Sequence, residues 1–156
     1  ALVKAIGCVT HRARVTCVEV HQQRADAVAR CLEESIASET IAAGSKCVYA
    51  DFLETSPQQL GMFDYVVMNP PFAPNRADIA HVRHALQFVK PGGTLVSVMA
   101  GGITFREDSR SETFRLMVNV MRGEIEKLPS GSFKTSGTAV ETVVVRITKH
   151  EIEQIG

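Results

Sequence analysis

The sequence predicts an α/β fold, a doubly wound and mostly parallel sheet with an antiparallel C-terminal strand pair. Three observations carry that expectation. Short β-branched runs alternate with stretches of helical rhythm, the pattern of parallel βαβ units. The last two strand-like runs share only a short connection, which suits an antiparallel pair. With 156 residues, 45% hydrophobic and 22% charged, the chain fits one ordinary folded domain spanning 1–156 and not a disordered one.

The elements follow in order. Residues 1–8, ALVKAIGC, read as the remnant of a short helix ending near Gly7. Residues 14–20, RVTCVEV, are β-branched and read as a strand. A helix is predicted over about 22–37, where Ala25, Val28, Ala29, Leu32 and Ile36 keep an i, i+3, i+4 spacing. Residues 46–50, KCVYA, and 63–68, FDYVVM, are the next strands. Asn69-Pro70-Pro71 ends the second of these, because proline cannot donate to a ladder. A helix over about 78–89 starts with Asp78, which suits the positive helix end, and is stopped by KPGG. Residues 94–100, TLVSVMA, form a strand broken by Gly101-Gly102. A helix at 109–121, a weak strand at 124–128, a Gly/Ser/Thr-rich loop and a strong strand at 140–148 complete the chain.

Charge narrows the function. Seventeen basic residues balance seventeen acidic ones, so bulk charge gives no nonspecific grip on nucleic acid, and only a local patch can. No apolar run reaches the roughly 20 residues of a membrane helix. The N-terminus lacks a signal-peptide layout, and a cytoplasmic location without membrane partners is expected. The four cysteines, at 8, 17, 31 and 47, form no CxxC pair and read as buried free thiols. His81 and His84 share a helix face, but no third ligand is spaced for a metal, so no metal site is expected.

In doubly wound folds ligands gather at the carboxyl ends of strands. Four places qualify: Glu19-Val20-His21, Asp51-Phe52, Asn69–Phe72 and Ala100–Gly102. The sharpest is Asn69-Pro70-Pro71-Phe72. Two prolines stiffen the backbone and remove two N–H donors. What remains are carbonyl acceptors, the Asn69 side chain and the Pro70 backbone, beside the flat face of Phe72. Acceptors with a stacking face suit a planar amino group such as the exocyclic amine of a base. An ordinary proline turn gives the same NPP; the aromatic that follows, at the end of a central strand, favours the site.

This NPPF segment resembles the catalytic motif of class I S-adenosylmethionine-dependent methyltransferases acting on amino groups, the N6-adenine DNA methyltransferases above all. The likeness covers most of the chain. VTCVEV is similar to the family's second strand, whose acidic end binds the cofactor ribose, which maps to Glu19 and the adjoining Val20. CVYADFLE is similar to the third-strand motif that holds the cofactor's adenine, which maps to Asp51 and Phe52. The segment closing the chain resembles the last strand pair of methylases often carried by phages and mobile elements. The resemblance implies a Rossmann-like sheet, S-adenosyl-L-methionine as cofactor and DNA as substrate. It implies that Asn69 and the Pro70 carbonyl orient the target amine and stabilise its developing charge, that Pro71 stiffens the motif and that Phe72 stacks on the flipped base. RNA or a protein glutamine are alternative substrates of related motifs, and a catalytically inactive remnant serving as a binding subunit is the alternative from another class.

The sequence departs from the family at its start. The chain begins with Ala1, and the glycine-rich loop and first strand of the family have no counterpart. An N-terminally truncated domain is expected, with cofactor binding weak or lost. A homo-oligomer or an upstream fragment is then expected to complete the sheet. Arg76 and Lys134 are candidate phosphate contacts or solvated loop charges, and the basic cluster His11-Arg12-Arg14 reads as a helix-end or solvent-facing group. Ser130, Ser132 and Ser136 lack the partners of a nucleophile.

Overall fold

A computed structural model describes residues 12–72, 76–129 and 141–150. By its contacts the chain divides into two compact units, residues 1–55 and 56–156. The expected helix at 1–8, Cys8, His11 and the Ser130–Lys134–Ser136 loop lie outside the described residues.

The first unit is built on a βαβ crossover. Strand β1 (Thr16–Glu19) and strand β2 (Lys46–Tyr49) pair in parallel, with Cys17 opposite Cys47 and Glu19 opposite Tyr49. Helix α1 (Gln22–Ala37) connects them and matches the predicted bounds. Its sequence holds no glycine or proline, and Ala25 and Leu32 are buried. Leu32 packs with Val15 and Ile41, and Cys17, Val28, Cys31, Ile36 and Cys47 surround that cluster. Cys17, Cys31 and Cys47 are free thiols, half-buried rather than fully buried as expected. Burial pushes the Cys17 thiol up to about 11, helped by Cys47 and Cys31.

The second unit carries the larger sheet. Its strands are β3 (Phe63–Met68), β4 (Val89–Ala100), β5 (Glu124–Lys127) and β6 (Thr142–Thr148), in the order β3-β4-β6-β5. β3 and β4 are parallel, while β6 runs antiparallel to both β4 and β5. The expected α/β architecture, with parallel strands and an antiparallel C-terminal pair, is therefore present. A one-turn helix, α2 (Pro57–Leu60), precedes β3. Sequence reading missed it, although Ser56 and Gln59 form a capping box around Pro57. Helix α3 (Ala77–Ala85) joins β3 to β4 and packs on β4. Helix α4 (Ser109–Val120) precedes β5. The core holds Ile79, Val82, Leu95, Met99, Ile103, Phe114, Val143, Val145 and Ile147, all but sealed from solvent.

Several boundaries differ from expectation. Helix α3 ends at Ala85 and relaxes into a tighter turn over Leu86–Phe88, short of residue 89. Phe88 and Val89 are buried, and Val89 already pairs with Phe63. The strand then carries KPGG inside it, through an irregularity opposite Phe63 and Tyr65 and a positive φ of 78° at Gly92. Glycine tolerates that backbone, so a segment read as a stop becomes an irregular strand entry. In β1 the regular ladder is also shorter than the predicted 14–20.

Candidate functional site

In the second unit, β3 delivers the motif to the carboxyl edge of its sheet. Met68, its last residue, pairs with Ser97 of β4. Asn69 and Pro71 are exposed, Pro70 is buried and Phe72 is half-buried. The Asn69 amide makes no hydrogen bond among the described residues, so its oxygen is open to an incoming donor.

Beside the motif lies a cleft of about 320 Å³, lined by Phe72, Arg76, Asp78, Ala100, Gly102, Ile103, Phe105, Arg106 and Glu141. Its inner wall is fixed by two clamps. Asp78 is 1% exposed; its carboxylate accepts from the Ala100 N–H at 3.2 Å and the Ile79 N–H at 3.0 Å. Burial pushes its pKa up, against those N–H bonds and the nearby Arg76, which hold it down. The carboxylate thereby ties the start of α3 to the end of β4.

Arg76 makes the second clamp. It sits in the left-handed region at φ 61°. Its guanidinium pairs with Asp108 at 2.7 Å and donates to the Ser111 hydroxyl. Asp108 in turn caps α4, accepting from the Ser111 N–H at 3.0 Å, and that bond leads the causes that lower its pKa. Arg76 is thus spent on an internal ion pair and is not a free phosphate contact. The residues that leave the motif, at 76 and 78, are held from two directions.

The first unit presents the other expected residues at the carboxyl ends of β1 and β2. Glu19 is half-buried and its Oε1 accepts from the His21 N–H at 2.9 Å. Asp51 is exposed and its Oδ1 caps the turn Phe52–Glu54 by accepting from the Leu53 N–H at 2.9 Å. Each carboxylate keeps its second oxygen free of any hydrogen bond among the described residues. Val20 is exposed and Phe52 half-buried. The parallel register places Glu19 opposite Tyr49, two residues before Asp51, so the four residues share one edge of this unit. Among the described residues no cluster of three His, Cys, Asp or Glu is placed to hold a metal. Nδ1 of His81 lies 2.7 Å from the Ala77 carbonyl, and His84 packs edge-on to Phe88.

Sequence reading missed Phe105, Arg106 and the structural part of Asp78. The rule that ligands gather at strand ends pointed to Ala100–Gly102 but stopped at the glycines. The next two side chains complete that edge.

The model of the methyltransferase small domain family matches residues 4–122. The chain belongs to that family. Comparison of this methyltransferase domain with curated proteins gives no match. Among solved structures it is similar to the M protein of the type I restriction enzyme EcoKI, with 20% identity and a TM-score of 0.68, over 91% of this chain and 32% of that one. The type I restriction-modification methyltransferase subunit of Streptococcus thermophilus matches at 21% identity and a TM-score of 0.65, over 86% and 33%. An O-methyltransferase from Bacillus cereus, solved in complex with SAH, matches at 16% identity and a TM-score of 0.54, over 87% and 63%. These likenesses establish the Rossmann-like methyltransferase fold. The chain spans about a third of the length of the type I subunits it matches.

Proposed function

We propose that this chain transfers a methyl group from S-adenosyl-L-methionine to an exocyclic amine, with adenine N6 in DNA as the substrate. The observation that carries this is the exposed Asn69, set at the carboxyl end of β3 beside an aromatic-lined cleft. In this reading the Asn69 Oδ1 and the Pro70 carbonyl accept the two N–H groups of the amine. That orients the nitrogen lone pair and stabilises the positive charge that grows on it. Pro71 stiffens the turn, and Phe72 stacks on the base.

The free oxygens of Glu19 and Asp51 suit the hydroxyls and amino edge of an adenosyl group, with Val20 and Phe52 giving apolar contact. When bound, the cofactor supplies an electrophilic methyl on its sulfonium. Type I subunits stand among the similar structures, which supports DNA over RNA or a protein glutamine. No helix among the described residues is long and apolar enough to cross a membrane, and we place the reaction in the cytoplasm.

We further infer that the two units work as one methyltransferase domain, because the family model runs through both. A strand from outside the described residues, from a second copy or a further segment, is the partner expected at the open strand edges.

Transfer of labelled methyl from S-adenosyl-L-methionine to adenine-bearing DNA, followed by nuclease digestion, tests the reading. N6-methyladenine in the digest is the expected product. Label found only in RNA or in protein glutamine would displace DNA as the substrate.

A further inference from the structure

Two of the four charged side chains lining the cleft in the second unit are already used. Arg76 is paired with Asp108, and Asp78 is bonded to backbone N–H groups. Two lining groups are left without a hydrogen bond or ion pair among the described residues, the Arg106 guanidinium and the Glu141 carboxylate. Arg106 lies over the Gly102 backbone, its Nε 2.8 Å from where a Cβ on that residue would sit. Next to it Phe105 is 65% exposed. An exposed aromatic beside an unpaired cation offers a stacking face and a phosphate partner side by side.

The backbone that presents these two side chains is fixed. Arg115 donates to the Ile103 carbonyl at 2.7 Å and to the Arg106 carbonyl at 2.9 Å. The Thr104 hydroxyl closes the turn onto the Gly101 carbonyl at 2.9 Å. A rigid backbone with outward side chains is pre-organised for a ligand, since little ordering remains to be done on binding.

We propose that Phe105 and Arg106 form a nucleotide grip. Phe105 supplies a second aromatic surface to the cleft that Phe72 lines, and Arg106 neutralises a phosphate of the bound strand. This rests on the methyl-transfer reading above and deepens it by naming the residues that select a nucleic acid. A glutamine side chain has neither a ring for Phe105 nor an anion for Arg106. Glu141 repels a phosphate, which sets the strand on the Arg106 side. It is also an acceptor of the kind that reads amino groups on base edges.

The test is binding of a short single-stranded, adenine-containing oligodeoxynucleotide to the full chain, by fluorescence anisotropy across a salt series. Phe105→Ala is expected to weaken binding about 5- to 100-fold, the loss of one stacked base, and Phe105→Tyr to restore it. Arg106→Ala is expected to lower the slope of log affinity against log salt by about 0.7, one phosphate contact on a single strand, and Arg106→Lys to retain it. Both side chains are exposed, so their removal leaves the core intact. If the chain binds and methylates the oligonucleotide but neither alanine variant changes binding, the grip is wrong and the DNA reading stands. If the chain binds a glutamine-bearing peptide and no oligonucleotide, the grip is overturned, and the methyl-transfer assay decides the reading separately.

Discussion

In the proposed reading, Asn69 is the side chain on which the chemistry turns. Its oxygen contacts the amine most strongly when charge has developed on nitrogen, so Asn69→Ala should cut the turnover of methyl transfer about 10²–10³-fold. The thermal melt should not move, because Asn69 is exposed. Full turnover in the variant would refute the role. Asp78 gives a stability signal instead. Its pKa in the folded chain is raised above the ordinary 3.8. Between those two values the folded state holds more protons than the unfolded one, so stability falls as pH rises through that window. Asp78→Asn cannot titrate. The wild type should therefore gain stability relative to the variant as pH drops toward 4, read by urea melts at several pH values. A difference that stays constant with pH would argue against a raised Asp78. Cys17, pushed up to about 11, should resist iodoacetamide at pH 8 in the folded chain and react once urea unfolds it. Peptide mass spectrometry reads this residue by residue. The motif and the two acidic strand ends were legible because each is a local string. Asp78 was legible only as a helix-start acid, since its main partner, Ala100, lies 22 residues away.

At the level of elements, local pattern fixed some bounds and missed others. Helix α1 and strand β3 match their predicted bounds, the first through its i, i+3, i+4 apolar spacing and the second through the prolines that follow it. The entry to β4 was not legible. KPGG is a turn by composition, and the pairing of Val89 with Phe63 and the hydrogen bonds of Gly92 and Gly93 with Lys149 draw it into the sheet. Gly101 was read as a strand breaker, and the structure gives it a steric task as well. A Cβ there would meet the Glu141 carbonyl at 2.9 Å. Gly101→Ala should destabilise the chain by about 1–3 kcal/mol through overpacking, and a melt unchanged from wild type would show that β6 can give way. Leu95, fully buried in β4, should cost about 2–5 kcal/mol on replacement by alanine.

For the whole molecule, the exposed edges matter most. Among the described residues β3 ends the order of its sheet, and β1 and β2 pair with each other. Edge strands invite pairing, and β3 also exposes Tyr65 and Val67. Size exclusion with light scattering should find an associated species, and a monomer that melts cooperatively at low micromolar concentration would count against a second copy as the missing strand. A single sequence could predict parallel units closed by an antiparallel C-terminal pair. It could not place β6 between β4 and β5, because pairing is decided between segments far apart in the chain. The reversed strand β6 has one more effect. Thr142, where β6 begins, pairs with Ala100, where β4 ends. A segment remote in sequence from the Asn69 motif therefore enters at the catalytic edge and brings Glu141 to the cleft. In the proposed reading, substrate preference and bond-making chemistry are written in separate stretches of sequence, so the first can drift among descendants of this domain while the second is held constant.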